Sequence, residues 1–335
     1  MNIKESNYYN QSIDFVKGIL ILLVFLGHLV VGKIEDNLVR YFIYSFHMPL
    51  FIGISGYLFN FNSLNNNPKV FIKKLFGRIL IPYILANFFY STFINIDFLI
   101  KFNFKEFVIG FFKSIIFSYY HLWYIQGYIS YIIVSYLLLK FLKFDIKNLI
   151  IGLIISLFIY YLYFFIKPEN IFIKIFLNNF RSYNLIFFII GYFIKEKKIN
   201  IKISKNIVII GTLIFFINSI LEFFTIKVSD IYIYIYQIQN IIIYYISNIL
   251  LIIILLKICE EYLKMQNKII NFIGKNSLYF YLWHVLPIMI LKSKILDKNI
   301  YLYYLLGIIS FWLLYLIIKK YILMKNKKVE GKNYV

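Results

Sequence analysis

In the opening apolar run DFVKGILILLVFLGH, an acid, an amine and an imidazole fall on one side of the chain: Asp14, Lys17 and His28. On an α-helix, Lys17 and His28 are separated by about 16 Å along the axis but only about 20° around it. Ionisable groups are costly inside a bilayer, so each marks a functional position by default. The stripe offers a carboxylate and an ammonium at one end. About three turns further on, it offers an imidazole able to act as general base or nucleophile near neutral pH. A competing assignment is structural: a snorkelling Lys with its Asp partner, and a packed His bonded to a neighbouring helix.

Further candidates are spread along the chain. His47 lies in SFHMPLFIGISGYLF, where Pro49, Gly53, Ser55 and Gly56 permit close approach of another helix or of a ligand. Arg78, with Lys73 and Lys74 in KKLFGRILIPY, suits a phosphate-bearing ligand, although membrane anchoring explains the two lysines equally well. His121 and Trp123 in YHLWYI suggest an outer aromatic belt with a histidine available to an acceptor. Glu222 in NSILEFF is either an interfacial residue or an acid/base or sugar-binding group. His284 in SLYFYLWHVLP stands beside Pro287, which frees a carbonyl, and core hydrogen bonding is its expected role.

Composition sets the elements that must hold these residues. Of 335 residues, 61% are apolar and 21% aromatic, which leaves too little polar surface for a water-soluble globule. The single cysteine, Cys259, cannot close an internal disulfide, and no Cys/His cluster has metal-ligand spacing. A net charge of +21 is distributed in short segments between apolar runs rather than in one basic domain, so it points to a membrane and not to nucleic acid.

A spanning helix needs about 20 mostly apolar residues. Ten runs qualify. The first five are Ile13 to Val31, Val39 to Phe59, Phe76 to Asn95, Tyr120 to Phe141 and Leu149 to Ile166. The second five are Tyr183 to Ile194, Asn206 to Ile226, Tyr232 to Lys257, Ser277 to Leu291 and Ile300 to Leu323. Phe104 to Ser118 reads as an interfacial amphipathic or re-entrant helix.

The expected fold is therefore an all-α, polytopic integral membrane bundle of about ten transmembrane helices. With the amino terminus inside, the inner segments carry about twice as many Lys and Arg as the outer ones, which places both termini in the cytoplasm. The first run is too long and too charged for a cleaved signal and is expected to remain in the mature protein. No linker or repeat divides the chain, so residues 1–335 are expected to form one domain, with 1–12 and 324–335 as cytoplasmic tails.

Five segments in order, DFVKGILILLVFLGH, FHMPLFIGISGYLF, RILIPY, HLWYI and NSLYFYLWH, resemble the membrane-bound acyltransferase 3 family. The resemblance runs from Asp14 to about Leu323. The family generally has Arg where this chain has Lys17, a change that keeps the charge and loses the bidentate fork. No SGNH-type hydrolase domain follows, so the membrane domain is expected to complete acyl transfer alone.

The resemblance implies acetyl-CoA, or another short acyl-CoA, as cytoplasmic donor and a sugar hydroxyl of a cell-envelope glycan or lipid-linked precursor as acceptor. It implies no permanently bound cofactor and no metal, and a bacterial cytoplasmic membrane as the location. His28 is the expected catalytic residue, as general base or transient acyl carrier. Lys17, Arg78 and Asp14 are expected to serve the donor, and His47, His121, Trp123, Glu222 and His284 to be acceptor or auxiliary residues. The alternative is an exporter of polysaccharide without chemistry, since midplane polar groups and helix discontinuities also fit a translocation path.

Overall fold

The structure is a computed structural model that describes residues 3–141, 150–152, 154, 155, 157, 158, 170, 184–196, 204–225, 233–261 and 267–330. All regular elements among the described residues are helical. Helices α1 (Ile3–Leu29) and α2 (Leu38–Leu58) coincide with the first two expected spans. The last helix, Ile300–Glu330, contains the tenth. Three described stretches are long and apolar enough to cross a membrane: Gln11–Leu29, Leu38–Leu58 and Ile300–Asn326. Shorter apolar stretches occur at Val208–Phe224 and Ile243–Cys259. Most of the expected fifth span lies outside the described residues.

Two prolines interrupt the helical ladder, each in its own way. Pro82 has no N–H to return to the carbonyl of Arg78. The backbone there takes a π-turn, Phe76–Leu80, in which the Ile81 N–H donates to the Phe76 carbonyl, before helix Ile81–Ile94 continues. Pro287 likewise cannot serve the carbonyl of Trp283. The expected single helix from Ser277 to Leu291 is accordingly two helices, Ser277–Trp283 and Val285–Lys294, with His284 at the break.

The expected interfacial segment is a helix, Phe104–Ile116, opened by the Asn103 side chain accepting from the Glu106 N–H. Its last carbonyls lack intrahelical donors. Gln126 supplies them, donating from Nε2 to the carbonyls of Ile115 at 2.6 Å and Ile116 at 3.3 Å.

The described chain divides into two compact units. The first comprises Met1–His47 and Cys259–Val335. Within it, α1 meets helix Lys268–Lys275 almost backbone to backbone: Gly18 lies against the Ile270 carbonyl, and Gly274 against the Asp14 carbonyl. The last helix packs on the end of α1. There Tyr303 Oη donates to the Leu29 carbonyl at 3.0 Å, and Phe311 stacks near Phe25 at 4.5 Å between centroids. Only 22% of the apolar stretch Ile300–Asn326 is buried, an outer face suited to lipid.

The second unit is Met48–Ile258. Gly53 and Gly56 of α2 let helix Leu185–Glu196 approach until Gly56 faces the Phe188 carbonyl and Gly191 faces that of Gly53. Small residues in FIGISGYLF thus serve helix packing. Ser55 Oγ and Tyr124 Oη share a hydrogen bond of 2.8 Å there.

Because any Cβ at Gly274 would overlap the Asp14 backbone, Gly274→Ala is expected to cost about 1–3 kcal/mol of stability. Gly77→Ala, with nothing within 4 Å, should be neutral. Thermal melts of the detergent-solubilised variants compare them, and equal melting of G274A and wild type would contradict this packing.

Candidate active site

The first unit gathers three of the four histidines. His28 stands in the last turn of α1, His284 at the Pro287-induced break, and His47 in the middle of α2. The rings of His28 and His284 are 5.2 Å apart between centroids. Tyr44 links the other two, edge-on to His28 at 6.1 Å and to His47 at 5.0 Å. His47 and His284 are also close enough to interact electrostatically.

Hydrogen bonding settles two of the tautomers. His284 Nδ1 approaches the carbonyls of Phe280 at 3.0 Å and Tyr281 at 2.9 Å. His47 Nδ1 approaches the Ile43 carbonyl at 2.6 Å. A carbonyl oxygen only accepts, so Nδ1 carries the hydrogen in both rings and Nε2 carries the lone pair. Backbone carbonyls thus clamp both rings. His47 and His284 are buried, while His28 is half-buried and the most accessible of the three. That combination suits His28 for contact with a substrate and its neighbours for orienting it.

At the other end of the α1 stripe, Lys17 Nζ donates to Asp14 Oδ1 at 2.8 Å in a part-buried ion pair. An uncompensated ammonium would be expensive in this apolar setting, and the neighbouring carboxylate offsets that cost. The carboxylate and ammonium are paired, and the imidazole lies about 16 Å along the same continuous helix, as the spacing implies.

The remaining sequence candidates belong to the second unit. Arg78 is exposed within the π-turn, and Lys73 and Lys74 are exposed just before it. His121 is buried in the short 3₁₀ turn Tyr120–Leu122, with its ring edge-on to Tyr90 at 5.6 Å. Trp123 begins helix Trp123–Phe141 and is half-buried, its ring 6.4 Å from that of Tyr124. Glu222 is half-buried on helix Lys205–Thr225. Among the described residues no three His, Cys, Asp or Glu side chains converge as metal ligands.

The sequence reading passed over Tyr44 and Arg40. Arg40, Tyr44 and His47 are spaced i, i+4, i+7, one face of α2, and that spacing could have flagged them. The Arg40 guanidinium lies 5.5 Å from the Tyr44 ring centroid.

Residues 10–319 match the family described as an acyltransferase domain. Two nodulation proteins named NolL are similar over a shorter stretch. The protein from Sinorhizobium fredii is 57% identical and that from Mesorhizobium japonicum 52% identical, each over 60 residues. Each alignment covers 16% of this chain and 16% of the relative, so the match spans about a sixth of those relatives. No solved structure matches.

The clamp on His284 can be tested separately from catalysis. Asn presents a donor near the position of Nδ1, so His284→Asn should keep the bond to the helix carbonyls and melt close to wild type. His284→Leu should lose about 1–3 kcal/mol. If the two variants melt together, Nδ1 is not holding the break.

Proposed function

The chain belongs to the acyltransferase 3 family, and we propose that it transfers an acetyl or other short acyl group from a cytoplasmic acyl-CoA to a sugar hydroxyl of a cell-envelope polysaccharide or its lipid-linked precursor. The observation that carries this reading is the gathering of His28, Tyr44, His47 and His284 in one apolar unit, with His28 the most accessible of the three histidines.

In the reaction, the acceptor hydroxyl attacks the thioester carbonyl. A C–O bond forms as the C–S bond breaks, the hydroxyl proton passes to His28, and the CoA thiolate leaves to be protonated. The buried rings of His284 and His47 fix the surroundings of His28 and exclude water that would otherwise hydrolyse the thioester. An acyl-imidazole on His28 is the second route to the same product, in which the ring attacks the thioester first and the sugar hydroxyl then takes the acyl group.

Lys17 and Arg78, each at the cytoplasmic end of its apolar run by the positive-inside rule, are each a candidate for the donor's anionic phosphates. Asp14 holds the Lys17 ammonium and would exchange it with an incoming phosphate. His121, Trp123 and Glu222 remain candidates for the acceptor. Ten spans, cytoplasmic termini and a bacterial cytoplasmic membrane complete the proposal.

The break at His284 is also the kind of helix discontinuity that a glycan exporter would use. One experiment separates the readings. Membranes containing the protein should move label from radiolabelled acetyl-CoA to glycan, and His28→Ala at equal abundance should reduce this by about 10²–10⁴-fold. Undiminished transfer in H28A would remove His28 from the mechanism. Glycan that reaches the surface without its ester in a deletion strain would reject the exporter.

A further inference from the structure

A second cationic feature borders the histidine cluster, within the same unit. Gly32, with φ of +106°, turns the chain beyond the end of α1, and Arg40 Nη1 donates to its carbonyl. The guanidinium is held over Tyr44, the ring that contacts both His28 and His47. Arg40 Nε is buried and has no hydrogen-bond acceptor among the described residues. A buried, charged N–H left without an acceptor is costly, and it marks a place where one belongs.

Lys292, near the end of helix Val285–Lys294, stands about two turns beyond His284, as Arg40 stands about two turns before His47, so both extend from the histidine cluster along its two helices. Desolvation, and next to it the Arg40 charge, lower the Lys292 pKa from its ordinary value. Neither cation makes an ion pair with a described carboxylate. Both helices that bear them also bear the cluster: His47 lies seven residues after Arg40, and His284 eight residues before Lys292. By the charge bias of the loops, both cations lie on the outer side, opposite Lys17.

We propose that Arg40 and Lys292 form an anion-binding subsite beside the histidine cluster, and that the acyl acceptor is an acidic glycan whose carboxylate or phosphate they hold. Arg40 Nε would donate to one anion oxygen and Lys292 Nζ to another, placing a neighbouring sugar hydroxyl toward His28. Assigning the bound anion as the acceptor rests on the acyl-transfer reading. The subsite itself does not.

The test is binding, followed by turnover. Full-length protein in phosphatidylcholine nanodiscs is titrated with three labelled trisaccharides: neutral glucose, its glucuronate counterpart, and a phosphorylated form. Wild type should bind the two acidic probes about ten- to a hundred-fold more tightly than the neutral one, and comparison of the two distinguishes carboxylate from phosphate. Arg40→Gln and Lys292→Gln should remove that preference, and Arg40→Lys should retain part of it. Lys292 is exposed, so its variant keeps the test open if R40Q misfolds. Equal binding of all three probes by wild type, or an unchanged preference in K292Q, overturns the subsite. Acidic binding without acetyl transfer to any probe instead overturns the acyl-transfer reading and leaves the subsite standing. Transfer to the neutral probe as efficient as to the acidic ones overturns the acidic acceptor and leaves acyl transfer intact.

Discussion

Backbone groups in an apolar medium must find their partners inside the protein, and the two prolines in this chain make that requirement consequential. Where Pro287 withdraws its N–H from the Trp283 carbonyl the helix breaks, and at the break Nδ1 of His284 donates to the carbonyls of Phe280 and Tyr281 at the end of the preceding helix. The bond that repairs the helix end also fixes the tautomer and turns the ring toward His28. Structural repair and chemical orientation therefore reside in the same atoms. At Pro82 the accommodation is different: a π-turn absorbs the missing donor and leaves Arg78 exposed on it.

Close packing of backbones makes the first unit rigid enough for such an arrangement. Gly18 and Gly274 bring α1 and helix Lys268–Lys275 into contact over the stretch that carries the Asp14–Lys17 pair. At the far end of α1, Tyr303 bonds the Leu29 carbonyl beside His28. The helix bearing the catalytic candidate is thus pinned at its middle and at its far end by different partners. Each contact is worth about 1 kcal/mol singly, but together they hold α1 in register.

The cations of the first unit differ in how they are compensated. One cation on α1 is matched by a carboxylate three residues away, Lys17 on Asp14, so it is stable in the absence of ligand. Arg40 differs in having a buried Nε with no acceptor among the described residues. Membership of the acyltransferase 3 family supplies the class of chemistry, and the short similarity to the nodulation proteins adds a local likeness only.

Much of this was legible from residue order alone. The apolar runs, the 11-residue step from Lys17 to His28, and the amphipathic Phe104–Ile116 are local, because helical periodicity and bilayer thickness act over one segment at a time. The second family motif, FHMPLFIGISGYLF, announced close contacts without naming their partners. What the tertiary structure decided was which faces meet: that His284 comes from some 250 residues away to lie against His28, that Tyr44 joins two histidines, and that Arg40 reaches back to the Gly32 carbonyl. Those pairings depend on how side chains from distant helices fit together, and no periodicity within a single helix encodes that.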